Sequence, residues 1–214
     1  DNVSLRKSLI AFQFTTAIIA FVSAIVISQQ INLFLKSDLG YNKDYILSAQ
    51  LPRDWTPQGV YKMEVIRNEF AAMPQISNVA LSYEIPDGNN SGGASVYKFG
   101  SDSTQAITAQ ALTTDENYLS VYKIPLKAGS FFEGHALDSG KIIMNEAAIH
   151  ALGWKNINDA IGQQIRISGD PTVFTIKGIT NDFHFGSMQQ QIEPIIFFNV
   201  PFAPISSEEH TSAL

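Results

Sequence analysis

Between Ser8 and Ser28 the chain reads SLIAFQFTTAIIAFVSAIVIS, 21 residues without a charge and with Gln13 as the one strongly polar side chain. A helix rising about 1.5 Å per residue would be about 31 Å long here, matching a hydrocarbon core of roughly 30 Å. A signal peptide has a shorter apolar run that ends in a small-residue cleavage site. Here the helical pattern continues instead. Ile31, Leu33, Phe34 and Leu35 carry an apolar stripe to Leu39, and Gly40 is the expected stop. The pattern predicts a span containing Ser8, Phe12, Gln13, Phe14, Ile19, Ile25 and Ser28, and a projecting stalk carrying Gln30, Leu33 and Phe34. Arg6 and Lys7 stand just before the span, whereas Lys36 lies eight residues beyond it. The positive-inside rule then puts the N-terminus in the cytoplasm and the remainder on the far side.

Past Gly40 the period changes. Tyr45–Leu51 (YILSAQL) predicts a strand, and Gln58–Met73 has apolar residues near helical spacing up to the break at Pro74. Ile76–Ile85, Ser95–Phe99 and Ile107–Thr113 predict further strands, and Asp115 is the expected cap of a short helix to Val121. Lys141–Asn145 predicts a strand that leads into a helix at Glu146–Leu152. Gln164–Ser168 and Val173–Ile179 alternate around the turn Gly169-Asp170-Pro171, and Ile195–Val200 is a last apolar strand. Helices and strands are intermixed without a regular βαβ repeat, which predicts an α+β class: a transmembrane and stalk helix followed by a mixed α/β domain.

Charge and composition narrow the function. Setting aside Asp1, Arg6, Lys7 and Lys36, 11 basic residues face 19 acidic ones, a net charge of −8. An acidic domain without a Lys/Arg cluster repels phosphate backbones, which excludes nucleic acid as a partner. The chain has no cysteine, so disulfides, thiolate metal sites and thiol nucleophiles are out. Of the four histidines, His184 sits in Asp182-Phe183-His184-Phe185, where i and i+2 share a face. No HExxH or GxSxG accompanies it, and the better reading packs Phe183 and Phe185 inward with Asp182 and His184 at the surface. Glu146 and Glu193 read as helix-start and surface acids. The loop PDGNNSGG lacks a phosphate-binding pattern, so Asp87, Asn89 and Asn90 are expected at most to touch a partner. These residues support a binding or mechanical domain, with no enzyme activity and no cofactor or metal.

Several stretches together resemble FtsX/MacB-type ABC transporter permeases: the membrane segment from LRKSLIAFQF through its "DLGYNK" exit (Leu5 to Leu47), IIMNEAAIHALGW (Ile142 to Trp154) with the following Asp159-Ala160-Ile161-Gly162, and GITNDFHFGSMQQQIEPIIFF (Gly178 to Phe198). The residues divide into 1–7 as a cytoplasmic flank, 8–39 as transmembrane and stalk helix, and 201–214, past the pattern break at Pro201 and Pro204, as a disordered or artefactual tail, and the resemblance implies 40–200 as a MacB-like periplasmic domain. It implies a bacterial inner-membrane permease fragment in which ATP hydrolysis by a cytoplasmic ABC ATPase moves the stalk and the periplasmic domain, a mechanism called mechanotransmission. The expected partners are that ATPase, a second permease half as dimer or pseudo-dimer, membrane lipid, and a periplasmic or outer-membrane protein. The expected roles are efflux, lipoprotein release or cell-envelope regulation. The polar start Asp1–Ser4 looks like the middle of a longer protein. The competing readings are the extracytoplasmic ligand-sensing domain of a receptor such as a sensor kinase and a membrane-anchored enzyme, the latter disfavoured by the missing catalytic clusters.

Overall fold

The computed structural model describes residues 2–36, 39–51, 54–86, 92–186 and 191–202. The chain divides into two units, Asp1–Asp38 and Leu39–Leu214.

The first unit is a single helix, α1 (Asn2–Lys36). No Gly or Pro interrupts it, and apolar residues are spread around its circumference, the pattern of a helix solvated by lipid and not by a core on one side. Val3–Asn32 is long and apolar enough to cross a membrane, and none of it is buried within the fold. Its hydroxyls need partners in such a medium; Thr16 Oγ1 donates to the Phe12 carbonyl at 2.9 Å. The helix is described to Lys36. Leu39, expected as its last residue, is not helical, and its carbonyl accepts from His184 N at 2.8 Å.

The second unit is built on a seven-stranded sheet. Its strands are β1 (Gly93–Lys98), β2 (Ile107–Thr114), β3 (Leu126–Gly129), β4 (Lys141–Asn145), β5 (Gln164–Ile167), β6 (Val173–Thr180) and β7 (Ile195–Asn199), ordered β3-β6-β4-β7-β2-β1-β5. The start of β6 also pairs with β5, so six strands close on themselves and β3 lies along the far end of β6. The β2/β7 and β4/β6 pairs are parallel and the others antiparallel. Among the described residues three α-helices accompany the sheet: α2 (Pro57–Ala71), α3 (Tyr118–Tyr122) and α4 (Glu146–Ala151).

Side-chain alternation sorts this unit into two cores. Val96, Ala109, Ile142, Met144, Ile165, Phe174, Ile176, Ile196 and Phe198, drawn from all six closed strands, pack with Ala148 and Ile149 of α4. The alternate residues Leu112, Ile143, Ile195 and Phe197 face Tyr118, Leu119 and Tyr122 of α3 together with Phe183 and Phe185. β7 is therefore buried on both faces, which explains its uninterrupted apolar run.

Most predicted elements appear within two residues of their expected ends. Three expectations fail and one strand was missed, each for a local reason. Tyr45–Leu51 is not a strand. Tyr45 has φ 63, a left-handed conformation that breaks an extended run, and Tyr45 and Leu47 are fully exposed. Ile76–Ile85 forms no strand beyond one bridge, Ser82 to Thr114. It borders β2 only past the end of β1, and there the Glu84 carboxylate takes the Thr113 amide (2.8 Å) in place of a strand carbonyl. Asp115 does not cap a helix directly: α3 starts at Tyr118, and Asp115 Oδ1 instead accepts from Asn117 N in the preceding turn (3.0 Å). β3 was not anticipated, because Pro125-Leu-Lys-Ala-Gly129 has no alternation and pairs only through its contact with β6.

Candidate functional site

The motifs that stand apart in the sequence converge on one corner of the second unit. β4 passes straight into α4 at Asn145, which is wholly buried. Its Oδ1 caps the helix by accepting from Ala148 N (3.0 Å) and also accepts from Ile195 N (2.8 Å). Its Nδ2 donates to the Glu193 carbonyl at 2.9 Å. One amide side chain thus ties the Asn-Glu-Ala turn to the Ile-Glu-Pro entry into β7. Asp182 Oδ1 takes the next free helix amide, Ala147 N, at 2.9 Å. Burial raises the Asp182 pKa above the usual carboxylate range; the bond from Ala147 partly offsets this, and the nearby Glu146 charge adds to it. Glu146 is held below its ordinary value by Lys127 Nζ, 2.6 Å away, with His150 one helical turn on contributing less.

Across Phe183 the chain that follows α1 in sequence is fastened down. Phe183 and Phe185 are buried and Asp182 and His184 partly exposed, as the sequence suggested. The Leu39 carbonyl bonds His184 N, and Asn42 N donates to the Tyr122 carbonyl at 2.7 Å. Between them Gly40 has φ +79, and a Cβ there would stand 2.8 Å from the Asp182 carbonyl oxygen and 2.9 Å from Phe183 Cα. Backbone conformation and close approach both demand glycine. Tyr41 sets its ring edge-on to Tyr122 (5.9 Å) and Phe183 (6.2 Å), and its hydroxyl donates to the Pro86 carbonyl at 3.0 Å. Backbone, ring and hydroxyl thus fix this short segment to three separate parts of the domain.

Two more polar clusters brace the unit. Asp138, fully buried, accepts from Glu133 N, Gly134 N, Asn199 Nδ2 and Lys177 Nζ at 2.7–2.9 Å. Burial works against the Lys177 charge, but the hydrogen bonds to Asp138 and Glu133 outweigh it and raise its pKa. Arg67 of α2 reaches Asp115 and Glu116, both at 2.8 Å, and Asp115 also accepts from Leu81 N. Burial pushes the Asp115 pKa up although the Arg67 and Leu81 bonds oppose it. These acids are engaged by donors that hold loops and helices in place, and among the described residues no three His, Asp or Glu side chains are grouped to hold a metal.

Of the residues singled out in the sequence, Ser8 to Ser28 and Gln30, Leu33 and Phe34 all lie on α1. Asp87, Asn89 and Asn90, expected at a partner contact, lie outside the described residues. Gly40 was read as a helix stop, whereas it is a point of close backbone approach. The roles of Tyr41 and Asn145 had no signal beyond their place in the motifs.

No curated protein matched the chain. Among solved structures, the periplasmic region of MacB from Actinobacillus actinomycetemcomitans aligns at 14% identity and TM-score 0.42, covering 69% of this chain and 68% of that one. The extracellular domain of the noncanonic ABC-type transporter YknZ from Gram-positive bacteria aligns at 11% identity and TM-score 0.44, covering 64% and 62%. A domain assigned to a permease protein from Porphyromonas gingivalis aligns at 16% identity and TM-score 0.41, covering 60% and 51%, so this chain spans about half of it. The family model described as the MacB-like periplasmic core domain matches residues 14–212. The chain therefore belongs to the MacB-like periplasmic core domain family.

Proposed function

We propose that this chain is the force-receiving part of an ABC transporter permease in a bacterial inner membrane. α1 carries displacement from a cytoplasmic ABC ATPase, and the domain beyond it turns that displacement into work outside the cytoplasm. The observation that supports this is the fastening of Leu39–Asn42. A segment held by two backbone bonds, an aromatic wedge and a closely packed glycine passes a pull or a twist into the two cores, whereas a free Gly/Ser linker would absorb it. The uninterrupted helix over residues 2–36 supports the same reading on the membrane side. Residues 8–39 then act as span and stalk, and 40–200 as the working domain. ATP hydrolysis takes place in the ATPase partner, and the permease acts as a dimer or pseudo-dimer. The outcome of the motion is efflux, lipoprotein release or control of envelope enzymes, with a periplasmic or outer-membrane protein as the receiving partner through Asp87, Asn89 and Asn90.

The test is co-purification, in detergent, of the full-length permease with ATPase subunits encoded beside it. A stable complex with ATP turnover is expected. A domain that instead binds a small ligand without any ATPase would favour the receptor reading.

A further inference from the structure

Just beyond the fastened segment the surface takes on a distinct character. Lys43, Tyr45 and Leu47 all point to solvent, Tyr45 and Leu47 at 106% and 97% relative exposure, while Ile46 between them packs against the second core. Elsewhere in this unit the exposed large apolar residues are 38–70% exposed, so these two are the most uncovered among the described residues. The backbone from Tyr45 to Leu51 makes no hydrogen bond within the described residues. Nothing in the domain's own packing accounts for an aromatic and an aliphatic side chain held clear of it beside a lysine.

The order along the chain does account for it. The apolar part of α1 ends at Asn32, and its last described turn ends at Lys36. From there to Tyr45 the chain extends at most about 32 Å at roughly 3.5 Å per residue, so this loop stays within that reach of the end of α1. A tyrosine with an apolar body and polar tip, a leucine, and a lysine able to reach phosphates form the side-chain set that settles at a bilayer interface. We propose that Lys43, Tyr45 and Leu47 are a membrane-interface contact: the loop lies on the outer face of the bilayer, with Leu47 and the Tyr45 ring among the upper acyl chains and Lys43 at anionic headgroups. The inference rests on reading α1 as a membrane span. It does not need ATP-driven coupling to be true. A lipid contact beside the fastened segment would fix the height of the domain and give α1 a surface to move against.

The chain has no cysteine, so single labels are introduced cleanly. The full chain is reconstituted in nanodiscs of phosphatidylethanolamine and phosphatidylglycerol containing a lipid with a nitroxide near its headgroup. Leu47→Cys, Leu137→Cys and Phe21→Cys are each labelled with bimane. Leu137 is an exposed apolar control elsewhere in the domain, and Phe21 lies in α1. The expected result is strong loss of emission at position 47 and little at position 137, with position 21 quenched by a lipid labelled deep in its acyl chain. Emission at 47 as insensitive as that at 137, with 21 still quenched, overturns the lipid contact and leaves the membrane reading standing. Equal quenching at 47 and 137 overturns it in favour of general adhesion of the domain. Shielding of 47 that needs two copies per disc assigns the surface to a second chain. An unquenched position 21 overturns the membrane reading and this inference together.

Discussion

A methyl group at position 40 would meet the Asp182 carbonyl and the Phe183 backbone while forcing a left-handed conformation on a residue that resists it. Gly40→Ala is expected to cost about 1–3 kcal/mol and, more tellingly, to release the bonds at His184 N and Asn42 N. Hydrogen exchange read by residue will show those two amides losing protection while β4 and β7 keep theirs. Asn145→Ala removes a helix cap and leaves the Ala148 and Ile195 amides and the Glu193 carbonyl without their partner. With each buried orphan costing about 1–3 kcal/mol, a loss of roughly 3 kcal/mol or more is expected in denaturant unfolding. The two acids of this corner carry opposite pH dependences. Glu146, depressed chiefly by Lys127, contributes stability above its unfolded pKa that is lost as pH falls through its lower folded value. Asp182, raised chiefly by burial, is a liability when charged, and its contribution improves as pH falls through its raised folded pKa. Unfolding midpoints measured between roughly pH 6 and pH 3 should therefore fall less steeply in Glu146→Gln than in the parent, and more steeply in Asp182→Asn.

At the scale of elements, the sequence made plain those that bury one or both faces. The apolar runs of β4 and β7, the alternation of β5 and β6, and the unbroken α1 all follow from side-chain period and length. Tyr45–Leu51 has an equally good alternation, yet Tyr45 takes a left-handed backbone and its outward side chains meet nothing in the domain. Pattern reports the ability to pair, and a neighbour must exist to use it. β3 illustrates the reverse, a weak pattern recruited by the length of β6. The pieces of the corner were legible in order, but not as one place, because the bonds that join them reach across the sequence as far as from Leu39 to His184. α2 is lightly attached. Gly59 is its one buried residue, and Arg67 supplies its charged link to the buried Asp115. Arg67→Met is expected to leave Asp115 short of a donor, to cost about 2–4 kcal/mol, and to raise hydrogen exchange across Pro57–Ala71. Comparable loss of protection throughout the sheet would show that α2 is instead integral to the core.

For the whole molecule, the chain belongs to the MacB-like periplasmic core domain family and carries one helix long and apolar enough to cross a membrane. The mechanical account proposes that displacement of α1 reaches the domain through the fastened segment Leu39–Asn42. Its consequences are tested in the full permease with its ATPase, because the domain alone has nothing to receive. The most direct measurement inserts a Gly-Gly pair after Asn32 and follows a spin-label distance between the two periplasmic domains of the permease pair, with and without ATP. The account predicts that the inserted form still folds, still assembles with the ATPase and still hydrolyses ATP, while the ATP-dependent change in distance disappears. A distance change of undiminished size in that variant would contradict it, since the domain would then be moving without a rigid helix to move it.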